Sequence, residues 1–89
     1  MSRRVTITNE IVRLMCDICN IRGYLEEESI YLRTKRGNFK MILADNVVSE
    51  LYRINSNGEM QKEELVTDNF FDVMKEIYKK NQMGMVENN

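Results

Sequence analysis

The sequence has no histidine, no proline, only two cysteines and no long apolar run. Without histidine, neither a His-based acid–base pair nor a His-dependent nucleophile triad is available. The four glycines are scattered and form no phosphate-binding or dinucleotide-binding loop. The acidic clusters at residues 26–28 and 63–64 lack the alternating pattern of a calcium loop. These absences predict a protein that is not an enzyme and that uses no cofactor or metal.

The two cysteines, Cys16 and Cys19, have a C-x-x-C spacing. A structural zinc site needs four ligands, and the chain offers no second cysteine pair and no histidine. A thioredoxin-like motif would follow a strand and open a helix, whereas this pair lies within a helical pattern. We therefore interpret both residues as small apolar side chains on the buried side of a helix.

Length and composition predict a single folded domain. The 89 residues allow one core, and 43% hydrophobic and 30% charged residues are typical of globular domains. We assign residues 1–81 to this domain and residues 82–89, which have no pattern, to a flexible tail. No apolar run reaches the roughly 18 residues of a membrane span, and charges interrupt any signal-peptide core. We expect a cytoplasmic protein without membrane contact.

Apolar spacing predicts a helix near each end of the chain. The first covers residues 7–22, with Thr8 or Asn9 as its cap and Gly23 at its end. Its apolar stripe is expected to pack on a sheet and comprises Ile7, Ile11, Leu14, Met15, Ile18 and Ile21, widened by Val12, Cys16 and Cys19. The second helix begins after residues 67–69, and its apolar side comprises Phe70, Val73, Met74 and Ile77.

Between the helices the apolar period changes to two, which indicates strands. Residues 29–35 and 38–44 form a predicted hairpin with its turn at residues 36–37. This turn pairs Ile30 with Leu43 and Leu32 with Met41, all on one face. Residues 45–46 and 56–58 have the composition of two further turns.

The segment 47–54 has two interpretations. As a strand it places Tyr52 on the inner face and Leu51 on the outer face, with Glu50 pointing inward as the one poor fit. As a short helix it would be capped by Asn46. We favour the strand, and residues 59–65 then form a charged edge strand opposite it, with Ile54 facing Met60.

The predicted fold is therefore α+β: an N-terminal helix, an antiparallel three- to four-stranded meander and a C-terminal helix. Both helices are expected to pack on one face of the sheet, because that arrangement buries every apolar stripe around one core.

The first hairpin is basic although the whole chain has a net charge of −1. Residues 29–40 contain four basic side chains and no acid. Arg33, Lys35 and Lys40 should lie on the sheet face away from the helices, beside Tyr31 and Ile42. Arg36 should lie at the hairpin tip. The candidate binding residues are Tyr31, Arg33, Lys35, Arg36, Lys40 and Ile42. Alternatively, these charges only keep the exposed face soluble.

Three functions fit these features. The first is a small non-enzymatic binding protein, encoded by a phage or mobile element, that inhibits or regulates a larger protein by occluding a functional surface. The second is a nucleic-acid-binding regulator, in which the basic hairpin together with Arg3 and Arg4 neutralises phosphates beside a stacking aromatic. The third is a homo-oligomeric accessory subunit, such as a homodimer held by outward apolar residues or by the seven methionines. We expect a protein partner, with nucleic acid as the alternative.

Overall fold

The computed structural model describes residues 6–35 and 37–87, with side chains as far as Lys80. Its elements are α1 (Asn9–Cys19), β1 (Arg22–Glu26), β2 (Ser29–Thr34), β3 (Gly37–Ala44), β4 (Val47–Ile54), β5 (Met60–Glu63) and α2 (Phe70–Glu87). The strands form one antiparallel sheet in the order β1-β2-β3-β4-β5, so each strand pairs with its neighbours in sequence. The predicted α+β meander between two helices is confirmed, with one strand more than predicted.

The additional strand, β1, replaces the predicted end of the first helix and part of the acidic connector. Helix α1 ends at Cys19 because Asn20 adopts a left-handed conformation with φ of 58° and donates its N–H to the carbonyl of Asp17. The prediction that Gly23 ends the helix is therefore wrong. Three of the five β1 residues point to solvent, so the strand leaves little apolar signal in the sequence.

Gly23 lies in β1 at the point where α1 crosses the strand. A Cβ atom at this position would lie 2.6 Å from Cδ2 of Leu32, 2.8 Å from Sγ of Cys16 and 2.8 Å from the carbonyl oxygen of Tyr31. The absence of a side chain therefore permits the close approach of helix and strand.

The register of the first hairpin differs from the prediction by two residues. Ile30 pairs with Met41, and Leu32 pairs with Phe39. Strand β2 ends at Thr34, and Gly37, with φ of 136°, already belongs to β3. A shift of two residues leaves every side chain on its face, so the apolar pattern fits both registers equally well.

Strand β4 contains a β-bulge. The turn at residues 45–46 is confirmed, with positive φ at both positions, and Leu43 pairs with Val48 as predicted. The next pair is Ile42 with Glu50, which leaves Ser49 without a partner.

The bulge reverses the faces of the second half of β4. Leu51 points inward and is 6% exposed, whereas Glu50 and Tyr52 point outward. The predicted strand at residues 47–54 is confirmed, and the alternative helix is wrong. The predicted orientations of Glu50, Leu51 and Tyr52 are wrong because that prediction assumed an unbroken alternation.

Both helices pack on the same face of the sheet, as predicted, and form one core with it. The core residues are Ile7, Val12, Cys16, Cys19, Ile21, Ile30, Leu32, Phe39, Met41, Leu43, Val48, Leu51, Phe70, Val73, Met74 and Ile77. The buried side of α1 is centred on Cys16, so the prediction that Leu14 and Ile18 face the sheet is wrong. Their side chains are 59% and 66% exposed.

Helix α2 begins after Asn69, whose Oδ1 accepts a hydrogen bond from the N–H of Asp72 at 3.1 Å. The helix continues to Glu87, so residues 82–87, predicted as part of a flexible tail, continue α2. Residues 88–89 lie outside the described part of the chain. Neither described helix is long and apolar enough to cross a membrane.

Side-chain amides connect the start of α1 to the sheet. The N–H of Leu25 donates to Oδ1 of Asn9 at 2.9 Å, on the side of β1 that faces away from β2. The N–H of Ile7 donates to Oδ1 of Asn46 at 3.1 Å, which joins the N-terminal segment to the β3–β4 turn. The first contact holds the start of α1 against the edge strand β1, and the second holds the segment before α1 against the β3–β4 turn.

Substitution Gly23→Ala should destabilise the fold by about 1–3 kcal/mol, because the added methyl group overpacks the contact between α1 and β1. Chemical denaturation followed by circular dichroism measures this change. Glu26→Ala, on an exposed position of the same strand, is the control and should change stability by no more than about 0.5 kcal/mol. Equal effects of both substitutions would contradict a close contact at Gly23.

Candidate functional site

The sheet face opposite the helices, called the outer face below, carries three cross-strand rows of side chains. Residues that are successive partners in the register share one face and form one row. The tyrosine row comprises Tyr24, Tyr31, Lys40, Tyr52 and Lys62. The arginine row comprises Arg22, Arg33, Asn38, Ile54 and Met60. The glutamate row comprises Glu26, Ser29, Ile42 and Glu50.

The tyrosine row crosses all five strands. The rings of Tyr24 and Tyr31 contact each other with centroids 5.4 Å apart and planes inclined by 30°. Nζ of Lys40 lies 5.5 Å from the centroid of the Tyr31 ring, within the range of a cation–π interaction. Tyr24 is 49% exposed, and Tyr31 and Tyr52 are partly buried by their neighbours. The row therefore presents aromatic surface and positive charge side by side.

The arginine row begins with two basic residues directly opposite each other, Arg22 and Arg33, both exposed. They flank a groove of about 300 Å³. Its lining residues are Arg22, Gly23, Tyr24, Tyr31, Leu32, Arg33, Asn38, Phe39 and Ile54. The groove thus lies between the basic end of the arginine row and the paired rings of the tyrosine row.

The glutamate row gives the other end of the outer face the opposite charge. The hydroxyl of Tyr52 donates a hydrogen bond to the carboxylate of Glu50. This hydrogen bond raises the pKa of Tyr52 above its ordinary value. Rows two residues apart along a strand are separated by about 6.6–6.8 Å. The outer face therefore changes from basic to acidic over about 13 Å.

Four of the six predicted binding residues lie on the outer face: Tyr31, Arg33, Lys40 and Ile42. Lys35 lies in the β2–β3 turn, which corrects its predicted place on the sheet face. Arg36 lies outside the described residues, as do Arg3 and Arg4.

The prediction missed four aromatic or basic members of the same face: Arg22, Tyr24, Tyr52 and Lys62. Arg22 and Tyr24 belong to the strand that the apolar pattern did not reveal. Tyr52 reaches the outer face only because of the bulge. One signal in the sequence was available, since placing Leu51 inward rather than Glu50 would have turned Tyr52 outward.

The cysteine pair is buried, as predicted. Cys16 and Cys19 are free thiols, 2% and 5% exposed, on the core side of α1. Burial raises the pKa of Cys16 to about 11 and also raises the pKa of Cys19. The described residues contain no group of three side chains able to hold a metal ion. The thiols are therefore protonated core groups at neutral pH.

A second concave surface lies between the helices and is called the helix groove. It has a volume of about 470 Å³ and is lined by Met15, Ile18, Cys19, Lys75, Tyr78 and Lys79. The exposed apolar side chains of α1 are Leu14 and Ile18, and Ile18 lines the groove. Lys75 and Lys79 of α2 also line it. Its chemistry suits an apolar partner segment with acidic neighbours.

Comparisons of the chain with protein-family models, with curated proteins and with solved structures found no match in any of the three.

The buried thiols should react slowly in the native protein. At pH 8 a pKa of about 11 instead of 9.0 lowers the thiolate fraction of Cys16 roughly 100-fold. Labelling of Cys16 by a disulfide reagent should therefore be at least roughly 100-fold slower in the folded protein than in the denatured protein. Measurement by absorbance, with peptide mapping of the labelled site, checks this. Equal rates in both states would contradict the burial of the pair.

Proposed function

We propose that the protein is a non-enzymatic binding protein that holds single-stranded nucleic acid on the outer face of its sheet. The observation that carries this proposal is the tyrosine row, in which three tyrosines and two lysines are aligned across five strands. Unpaired bases stack on aromatic side chains of open sheets, and neighbouring lysines attract the phosphates. Each base stacked on an aromatic ring contributes about 1–3 kcal/mol.

The geometry favours single strands over duplexes. Tyr24 and Tyr52 are separated by three strand spacings, about 14 Å, and their rings point away from the core. In a duplex the faces of the bases are covered by their neighbours, so these rings would meet sugars, phosphates and base edges but no face on which to stack. A splayed single strand can place successive bases on the row, which spans enough sheet for a few nucleotides.

This proposal reverses the order of the functions considered from sequence. The hairpin predicted from sequence contributes one aromatic residue, Tyr31, to the outer face, and a protein partner was expected on that basis. The register adds Tyr24, Tyr52 and Lys62 to the same row. Stacking surface therefore supplements the phosphate contacts, and the weak overall charge of the chain is less of an obstacle.

A second candidate function, regulation of a larger protein by occlusion, is favoured by the helix groove. Leu14 and Ile18 are large apolar side chains more than half exposed on the opposite side of the molecule. Lys75 and Lys79 would complement acidic residues on either side of an apolar partner helix. We propose this groove as the place where a protein partner binds.

Replacing the central ring should separate stacking from folding. Tyr31→Ala should weaken binding of a single strand of about 12 nucleotides by about 5- to 150-fold, the equivalent of one stacked base. Tyr31→Phe keeps the ring and should stay within about twofold of the wild type. Fluorescence anisotropy with single-stranded DNA and RNA, and with a duplex competitor, measures these affinities. Absence of wild-type binding at low salt would refute the proposed function.

A charge reversal on the outer face should act more strongly than the same reversal in the turn. Lys40→Glu places a carboxylate in the centre of the tyrosine row and should weaken binding at least about 10-fold, with a smaller dependence on salt. Lys35→Glu changes the net charge equally but lies in the β2–β3 turn. The same anisotropy titration over a series of salt concentrations compares the two. Equal losses would contradict binding on the outer face.

For the second candidate, Ile18→Glu should abolish binding of a purified protein partner, while Tyr31→Ala should leave that binding unchanged. Both positions are outside the buried core, so circular dichroism should show an intact fold for both variants. Loss of partner binding in Tyr31→Ala alone would move the protein interface to the outer face.

A further inference from the structure

Two like charges occupy directly opposite positions at one end of the outer face. Arg22 and Arg33 are register partners on β1 and β2, and both are exposed. Within the part of the chain that the structure describes, neither guanidinium takes part in an ion pair. Like charges directly opposite each other in an antiparallel pair destabilise the sheet. The free protein therefore carries a local cost that a bound anion would remove.

The groove beside this pair combines cationic, amide and aromatic side chains. It is lined by both arginines, by Asn38, and by Tyr24 and Tyr31, whose rings contact each other. Its volume of about 300 Å³ is at the lower end of the range for small-molecule sites. Guanidinium groups bind phosphate through two parallel hydrogen bonds, and an amide side chain both donates and accepts. A base and its phosphate thus find separate partners within one groove.

We infer that this groove holds one nucleotide of the bound strand, with its phosphate between Arg22 and Arg33 and its base against the Tyr24–Tyr31 pair. The inference rests on the proposed function and specifies how that site binds its ligand. The arginine row and the tyrosine row are about 6.6–6.8 Å apart along the strands. A sugar connects base and phosphate across this gap.

The charges on the outer face determine where the rest of the bound nucleic acid lies. Phosphates are attracted to the arginine row and repelled by Glu26 and Glu50 in the glutamate row. The nucleic-acid backbone therefore stays on the side of the tyrosine row that faces the arginine row and avoids the glutamate row. The bases point from there toward the tyrosine row.

Neutralising either arginine should affect stability and binding in opposite directions. Arg22→Gln and Arg33→Gln remove the like-charge pair, so the melting temperature of the free protein should rise by a few degrees, on the order of 1–5 °C. The same variants should bind a single strand at least about 10-fold more weakly. The slope of log affinity against log salt should decrease by about 0.7 for one lost phosphate contact.

Two further variants sharpen the comparison. Lys35→Gln removes one positive charge from the β2–β3 turn and should leave the salt slope unchanged. Arg33→Lys keeps the charge but loses the paired hydrogen bonds, so it should retain the salt slope while weakening binding. A nuclear magnetic resonance titration with uridine monophosphate, uridine and inorganic phosphate identifies the ligand chemistry. The monophosphate should shift the amides of Gly23 and Leu32 at lower concentration than either of the other two.

The results distinguish this inference from the proposed function. Wild-type binding with unchanged affinity and salt slope in both Gln variants would overturn the nucleotide site at Arg22 and Arg33 and leave outer-face binding intact. Equal shifts by inorganic phosphate and the monophosphate would also overturn it, because the groove would then recognise only an anion. Absence of wild-type binding to any single strand refutes the proposed function and this inference with it.

Discussion

Ser49 is the residue of β4 that has no partner in β3. Its position determines which of the later β4 side chains lie on the outer face. Its hydroxyl donates to the carbonyl oxygen of Ile42 at 3.2 Å, within the bulge. Because side chains alternate along a strand, one extra residue exchanges inner and outer positions for the rest of β4. Leu51 thereby enters the core and Tyr52 joins the tyrosine row. The core and the candidate binding face thus depend on the same irregularity.

The two faces of the sheet contribute differently to the stability of the fold. The inner face buries apolar side chains from both helices and from β2, β3 and β4, and this burial is the main stabilising contribution. The outer face contains an exposed aromatic pair and two opposed guanidinium groups, which contribute little or even cost stability. A small domain can keep such a face only because its core is continuous beneath it. Stability and binding are therefore separated on the two sides of one sheet.

Local chemistry allowed much of the fold to be predicted from sequence. The turns at residues 45–46 and 56–58 and the cap at Asn69 have short-range signatures, and all three were found where expected. The short strand β1 and the bulge were missed because the apolar pattern of a sequence reveals neither a half-exposed strand nor one unpaired residue. The outer face was therefore only partly predicted. Tyr31, Arg33, Lys40 and Ile42 on β2 and β3 were found. Arg22, Tyr24 and Tyr52 were missed because they depend on the two missed features.

The hydrogen bond from the N–H of Leu25 to Asn9 has a consequence for association of the chain with itself. An open edge strand presents free N–H and C=O groups that can template a foreign strand and start aggregation. On β1 the Asn9 amide already occupies one of these donors, and α1 crosses the strand beside it. The opposite edge, β5, is short and carries Lys62 and Glu63. Both edges of the sheet therefore disfavour the addition of a strand from another molecule, although one face of the sheet is uncovered.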